Sequence, residues 1–481
     1  MHAVAARDLM AEAKVVTHSV EKDPLEIFRA LSGETLPVLL QSARRDPRAG
    51  RFSLVASDPF MVLRFREGRG VLSSRSREEV FDGDPFAVLQ EALDRCRIAP
   101  LPGIPFAGGA IGYLGYGLRC WTEARAIHAT LPGRWPDMHL AFYDRAFVVD
   151  HVLKCTHLVV TGLPETGPSR RREKLRGDLR RLQRHYETRP EREQEAHDPH
   201  PQEPEFATSK EQYLRNILRA QEYLAAGDIY QVNLSHKIRM EGNWRPLALY
   251  QGLLASHPAC FAAYLPLRDH TVLCASPERL VRLTGRRAET SPIKGTRARA
   301  SSPELDRQAA LALTEGVKER AENVMIVDLA RNDLGRVCLP GSVRAEEVCR
   351  VETLPSVHHL VSTVTGRLRP DAVPVDLVRA LFPGGSMTGA PKIRAMEIID
   401  ELEGAERGIY SGSLGYFSFH GDLDLNIVIR TLILSGRGAE LQVGGAILAE
   451  SEPEAEYQET LDKARPLLGL LTGSRPLAGR S

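Results

Sequence analysis

The sequence predicts a mixed α+β fold, β-rich in its N-terminal part and alternating between strands and helices in its C-terminal part. Three observations carry this prediction. Short apolar or alternating runs dominate residues 1–165, a charged stretch rich in Arg, Glu, Gln and Pro fills 166–205, and helical and strand-like periodicities alternate over 206–475. At 481 residues, 43% hydrophobic and 26% charged, the chain can bury one large core or two modest ones. Lys plus Arg number 63 against 62 for Asp plus Glu, so no overall field attracts nucleic acid or an acidic membrane. Met1 to Val16 lacks the apolar core of a secretory signal, and no stretch is long and apolar enough to span a bilayer. The seven cysteines are scattered without a Cys-x-x-Cys pair, which favours neither a disulfide framework nor zinc. A cytoplasmic location is expected.

In order, Pro37 to Gln41, Phe52 to Ala56 and Met61 to Phe65 read as strands, as do Phe142 to Val149 and Leu153 to Val160. The glycines within Phe106 to Tyr113 point to closely packed strands and turns. Within 166–205, Leu175, Leu179 and Leu182 share one helical stripe among arginines, which reads as a solvated surface helix in a linker. Lys210 to Ala226 reads as a helix ending at Gly227. Asp228 to Ser235 then alternates, which puts Gln231, Asn233 and Ser235 on one face of a strand.

The candidate chemistry starts at Ser291-Pro292-Ile293-Lys294-Gly295-Thr296, a turn that presents one lysine amine, with Ser276-Pro277-Glu278 one strand upstream. A lone loop lysine is ordinarily a solvated charge; a neighbouring acid and a carboxylate cage make it a candidate nucleophile. Over Thr314 to Arg331, Glu315, Glu319 and Glu322 recur at helical spacing, opposite Val317, Ala321 and Val324. Such a stripe alone reads as an exposed acidic face. Ser451 and Glu454 form a capping-box signature for a last helix, whose polar stripe carries Glu452, Glu456, Glu459 and Lys463 beside an apolar stripe of Tyr457, Leu461 and Ala464. Two facing carboxylate helices without His or Cys suit Mg²⁺ better than zinc. Between them, Phe382 to Lys392 is a glycine-rich turn into a helix starting near Pro391, without the Gly-Lys-Ser/Thr ending of a nucleotide loop. His359 and Arg430, the latter on an apolar strand, can each be read as ordinary core residues, and Gly444-Gly445 follows.

Taken in order, Tyr230-Gln231-Val232-Asn233, Ser276-Pro277-Glu278-Arg279, Pro292 to Thr296, Glu319 to Asn323, Asp328 to Asp333, His358 to Ser362, Phe382 to Lys392 and Glu456 to Thr460 resemble the chorismate-utilising, anthranilate synthase component I-like enzymes. Within that family the aminodeoxychorismate synthase large subunits are the nearest branch, because Lys294 stands where anthranilate synthases usually have alanine. The resemblance implies a complex antiparallel β-sandwich flanked by helices, with its N- and C-terminal parts intertwined. It implies amination of chorismate at C4, with Lys294 attacking ring C2 and Glu278 protonating the departing hydroxyl. Mg²⁺ would sit between Glu322 and Glu459, supported by Glu319 and Glu456. Arg430 and Tyr410 would hold the enolpyruvyl carboxylate, and Thr296, His359, Ser386, Gly444, Gly445 and Lys463 would complete the substrate pocket.

No Gly-x-Cys-x-Gly turn of the glutaminase type is present, so the resemblance implies a separate glutaminase subunit as the ammonia source, in p-aminobenzoate and folate synthesis. Leu39-Leu40-Gln41-Ser42 and Arg51-Phe52-Ser53 resemble a region that encloses tryptophan in several relatives, which makes Ser42, Arg51, Ser53 and Phe261 a candidate tryptophan site. Gln41 replaces the usual acid there, and Cys260 stands where proline is common. The alternatives are an anthranilate-synthase-like lyase, against which Lys294 argues, and a non-catalytic tryptophan-binding subunit. Isomerisation to isochorismate is disfavoured by Gln231, where those relatives carry a lysine base.

Overall fold

The computed structural model describes residues 13–46, 48–75, 77–122, 133–189, 203–300, 302–353 and 357–473, without the side chains of Thr296, Ala298 and Val357. Parts of the predicted N-terminal region (1–12) and linker (190–202) lie outside the described residues. So do the last two positions of the predicted C-terminal domain.

Two antiparallel sheets of 12 strands each organise the chain. One runs, edge to edge, through Lys14–His18, Cys155–Val160, Arg145–Asp150, Phe52–Ala56, Val38–Gln41, Phe261–Pro266, Thr271–Ser276, Thr431–Ser435, Gly438–Ile447, Gln231–Glu241 and Glu205–Phe206. Gly389–Ala390 pairs beside Gln231–Glu241. The other runs through Ile293–Ala298, Val357–Arg367, Arg287–Ser291, Arg279–Thr284, Leu423–Ile427, Ser413–Ser418, Gly109–Leu114, Met138–Tyr143, Met61–Arg66, Arg69–Ser74 and Glu78–Asp82, with Arg344–Thr353 on Val357–Arg367. Both sheets mix strands from before residue 165 and after residue 205, which is the intertwined sandwich expected from the resemblance.

The largest core lies between the sheets, where Leu54, Ala263 and Val272 of the first meet Tyr113, Leu140 and Phe142 of the second, all buried. Each buried Val, Leu or Phe among them contributes about 1.5–3 kcal/mol by leaving water. A second core packs helices on the outer face of the first sheet, through Leu249, Leu253 and Leu467. A third joins Tyr213, Ile217 and Ala220 to Val232, Ile398 and Ile447.

The elements used below are helices α1 (Pro168–Glu187), α2 (Lys210–Ala225), α3 (Pro303–Glu315), α4 (Val317–Gly335), α5 (Lys392–Glu403) and α6 (Pro453–Thr472). The strands are β1 (Gln231–Glu241), β2 (Ile293–Ala298), β3 (Arg344–Thr353), β4 (Val357–Arg367) and β5 (Gly438–Ile447). Helix α1 lies on the first sheet: Leu182 is buried, and Arg181 pairs with Glu34 at 2.8 Å and Asp58 at 3.2 Å.

Several local expectations are corrected. The run Phe142 to Val149 is two strands broken at Asp144, a buried carboxylate that turns the chain and pairs with Arg145 at 3.2 Å. Strand β1 starts at Gln231 rather than Asp228, because Asp228 closes the end of α2 through its N–H to the Tyr223 carbonyl. The stretch Thr314 to Arg331 is not one helix: Gly316, with φ −60° and ψ 111°, ends α3 and opens α4. The cap of α6 is Glu452, whose carboxylate accepts the Ala455 N–H, while Ser451 donates to Glu456 instead.

Candidate active site

Lys294 enters the site from β2. It stands opposite Leu360 of β4, just before a register shift at Gly295, whose φ of +72° favours glycine. A Cβ on Gly295 would lie 3.1 Å from Leu313 and 3.3 Å from Glu319, so helices α3 and α4 press directly on this strand. Desolvation holds the half-buried Lys294 amine below its ordinary pKa, with nearby Lys463 acting the same way and Glu322, Glu278 and Glu459 opposing.

Glu278 is held by a short turn. Its N–H donates to Ser276 Oγ at 3.2 Å, and its carbonyl accepts from Ile427 N–H at 2.9 Å. Burial pushes its carboxyl up to about 7, against the opposing pull of Ser386, Lys294 and the Ile293 N–H. Ser386 lies against this carboxyl, yet its buried hydroxyl completes no hydrogen bond among the described residues.

The four predicted metal carboxylates come from α4 and α6. Glu322 is raised by burial and by Glu450 and Glu319, while Lys294 and Lys318 oppose. Glu456 is raised by burial and by Glu459, although it accepts from Ser451 Oγ at 2.7 Å. Glu459 pairs with Lys463 at 2.7 Å, and Glu319 with Arg297 at 2.8 Å. The two helices thus share Lys294 and Lys318 as counter-charges. Among the described residues no three His, Cys, Asp or Glu side chains converge as a ready-made metal cage. The all-carboxylate donor set suits a hard cation that keeps water and substrate oxygens.

The acidic stripe is divided: Glu315, at the end of α3, is exposed, and the exposed face that the stripe alone suggests does not continue onto α4. Val317 is 84% and Val324 42% exposed, while Glu319 and Glu322 turn inward. The break at Gly316 is the reason: the first turns of α4 cover the polar site, and its apolar contact begins only with Ile326 and Val327.

Arg430 is also not on a strand. It sits just before Thr431–Ser435 in the left-handed region, φ 51°. No hydrogen bond or ion pair holds its guanidinium among the described residues, and desolvation lowers its pKa. A half-buried, unpaired guanidinium on strained backbone is a ready anion site. His359 lies near it on β4, buried and pushed down to about 4 by desolvation and by Arg430. Tyr410 is buried, its phenol raised to about 12 by desolvation. Lys463 donates to the Gly444 carbonyl at 2.9 Å, and a Cβ on Gly445 would come 3.3 Å from Glu456 Oε2. The structure therefore brings Glu278, Lys294, Ser386, Glu322, Glu456, Glu459 and Lys463 around one site, with Arg430 and His359 at its side. The Thr296 side chain lies outside the described residues.

Three supports were given no role in the sequence reading. Arg407, 2% exposed, donates to both Glu403 oxygens at 2.6 and 2.9 Å, to the carbonyls of Met387 and Asn233 at 2.8 Å each, and to Ser411 Oγ at 3.2 Å. Lys392 pairs with Asp333 at 2.7 Å under the glycine-rich turn. Asn233 Nδ2 donates to the Ser386 carbonyl at 2.8 Å. Asn233 lay on the face singled out in β1; nothing in local periodicity marks Arg407. Gln231 on the same face is fully buried with both amide atoms unpaired among the described residues.

Away from this site, a cavity of about 660 Å³ opens between the sheets, lined by Ser42, Arg51, Phe52, Phe261, Arg279 and Asp424 among others. Ser53 does not line it. Its hydroxyl accepts the Ser42 N–H at 3.0 Å and meets His151 Nε2 at 2.7 Å behind the wall. All seven cysteines are free, and no helix among the described residues is long and apolar enough to cross a membrane.

The model of the chorismate binding enzyme family matches residues 40–469. An aminodeoxychorismate synthase component 1 from Escherichia coli (strain K12) is 39% identical over 464 residues, covering 94% of this chain and 97% of the relative. An anthranilate synthase component 1 from Acetivibrio thermocellus is 36% identical over 457 residues, covering 92% of each. The crystal structure of anthranilate synthase component I from Streptococcus pneumoniae TIGR4 superimposes with a TM-score of 0.77 at 32% identity, over 88% of this chain and 93% of that one. A fold of two antiparallel sheets, a lysine beside a buried acid and two carboxylate helices, and matches along nearly the whole chain lead to one conclusion: this enzyme belongs to the chorismate-binding enzyme family.

Proposed function

We propose that the enzyme aminates chorismate at C4 to give 4-amino-4-deoxychorismate, in p-aminobenzoate and folate synthesis. The observation that carries the reading is Lys294, a desolvated amine next to Glu278, a buried carboxyl pushed up to about 7. The neutral amine attacks ring C2, both conjugated ring double bonds shift (C1=C2 to C1=C6, C5=C6 to C4=C5), and the C4 hydroxyl leaves as water with the Glu278 proton. Ammonia then adds at C4, both double bonds shift back, and Lys294 departs as the amine. Arg430 and Tyr410 hold the enolpyruvyl carboxylate, Arg430 through a bidentate pair. Ser386, His359, Thr296, the Gly444-Gly445 backbone and Lys463 surround the ring.

Mg²⁺ would be held by Glu322 and Glu459, with Glu319 and Glu456 behind them, and would neutralise and orient the ring carboxylate. The mutual repulsion and burial that raise Glu322 and Glu456 support this reading, since a divalent cation relieves both. Ammonia comes from a separate glutaminase subunit in a cytoplasmic complex, a reading supported by the component 1 name of the Escherichia coli relative. Intact-protein mass spectrometry after mixing with chorismate and Mg²⁺, without ammonia, tests the step. A dehydrated chorismate adduct that disappears in Lys294→Ala is expected. No adduct, with turnover intact in that variant, would overturn the reading.

The cavity between the sheets supports a second ligand. Ser42, Arg51 and Phe261 offer polar and aromatic contacts for tryptophan, with Ser53 holding the Ser42 backbone. Calorimetry with tryptophan tests it, and absence of heat and of co-purified tryptophan would refute it.

A further inference from the structure

We infer that Asn323 is a positioning residue, which clamps helix α4 onto strand β4 at the level of Lys294 and thereby sets the Glu322 carboxylate against the lysine. The inference rests on the cation reading above and names the residue that governs it.

Asn323 follows Glu322 in α4 and is fully buried. Its amide is used on both sides. Nδ2 donates to the Leu360 carbonyl at 3.3 Å, and Oδ1 accepts from the Ser362 hydroxyl and from Cys349 Sγ, the latter at 3.5 Å. Leu360 is the residue paired with Lys294 across the β2–β4 ladder. The side chain next to one carboxylate is thus bonded to the backbone position opposite the amine. The Ser362 N–H donates to the Pro292 carbonyl at 3.2 Å, so the acceptor strand is itself fastened to the start of the lysine turn.

The far side of the clamp is unusual backbone. Ser362 Oγ accepts the Cys349 N–H at 2.8 Å, inside a β3–β4 register shift between Glu346 and Arg350. Glu347 and Cys349 there have φ of 50° and 57°. Left-handed non-glycine residues each cost about 1–3 kcal/mol and persist where surrounding contacts over-determine them. The bulge delivers the Cys349 N–H and thiol to a serine–asparagine pair; regular pairing would spend that N–H on the ladder. A buried asparagine with donor and acceptor both used fixes a helix in rotation and translation, which apolar contact alone does not. One residue earlier, Glu322 inherits that fixed position.

Direct binding of Mn²⁺, followed by its electron paramagnetic resonance signal and by calorimetry without chorismate, tests the inference. Wild type, Asn323→Ala, Ser362→Ala, Glu322→Gln and the distant buried α4 variant Leu334→Ala are compared, each checked for folding by its melting transition. Outer groups that orient metal ligands are worth on the order of 10–100-fold in affinity. Asn323→Ala is expected to weaken Mn²⁺ by at least about tenfold and Ser362→Ala by less, with kcat recovered at saturating Mg²⁺. Leu334→Ala should bind as wild type. Should Glu322→Gln lose the cation while folded Asn323→Ala keeps it within twofold, or should Leu334→Ala lose as much as Asn323→Ala, the positioning role is overturned and the cation reading stands. No Mn²⁺ binding by wild type overturns both.

Discussion

Replacing Arg407 by methionine removes the cation that joins three parts of the site while keeping most of its volume. Among the described residues, Glu403, its side chain 4% exposed, then retains only the Ser235 N–H at 2.7 Å and Ser235 Oγ at 2.8 Å as donors. The carbonyls of Asn233 and Met387 lose the donors that reached them at 2.8 Å. Breaking a buried ion pair from one side costs about 3–5 kcal/mol, because the remaining charge is stranded. That is a large share of the about 5–15 kcal/mol that holds a folded domain. Urea unfolding followed by circular dichroism is the assay, with the slope checked for constancy. Adding Glu403→Met should recover at least about 2 kcal/mol, since removing both charges leaves no stranded carboxylate. A loss under about 1 kcal/mol for Arg407→Met, or strict additivity in the double variant, would refute the argument.

Glu278 titrates with a definite sign. Its folded pKa of about 7 lies above the ordinary carboxyl value of 4.5, so its contribution to stability is complete below pH 4.5 and is lost as pH rises to about 7. Glu278→Gln should therefore be stabilised relative to wild type by about 3 kcal/mol more at pH 8 than at pH 4.5, read from urea midpoints. Infrared titration should find the carboxyl band near pH 7 in wild type and higher in Lys294→Ala, because the protonated fraction of Lys294 lowers this pKa. Arg430→Gly relieves an unpaired, left-handed arginine, so stability should hold or rise by about 1 kcal/mol while the KM for chorismate rises at least about tenfold. Val317→Ser should change stability by less than about 0.5 kcal/mol despite the apolar residue lost, because the side chain is 84% exposed; a loss above about 1.5 kcal/mol would contradict the inward turn of Glu319 and Glu322.

Legibility in the sequence followed the range of the interactions. The strands Phe52–Ala56 and Val38–Gln41 and the helix Lys210–Ala225 emerged within a residue or two, because alternation and a terminal glycine are local signals. The pairing of Phe52–Ala56 with Arg145–Asp150, or of Phe261–Pro266 with Val38–Gln41, has no local signal. The family resemblance supplied only the intertwining of the two parts, not these pairings. Helix α4 misled because periodicity reports two faces without saying which one meets the protein; its valines look outward since its first turns cover a polar site. Lys294 and Glu278 were legible as motif residues. The guanidinium of Arg407 was not, since its five hydrogen bonds tie its own neighbours Glu403 and Ser411 to Met387 and Asn233, which lie on two other stretches of chain.

Product analysis by mass spectrometry, on the purified chain with chorismate, Mg²⁺ and ammonium salt beside Lys294→Ala, reaches the central claim most directly. The account predicts an aminated product that keeps the enolpyruvyl group, lost or diverted to anthranilate in the variant. Anthranilate and pyruvate from the wild-type chain would contradict it, and would make Lys294 a bystander in a lyase.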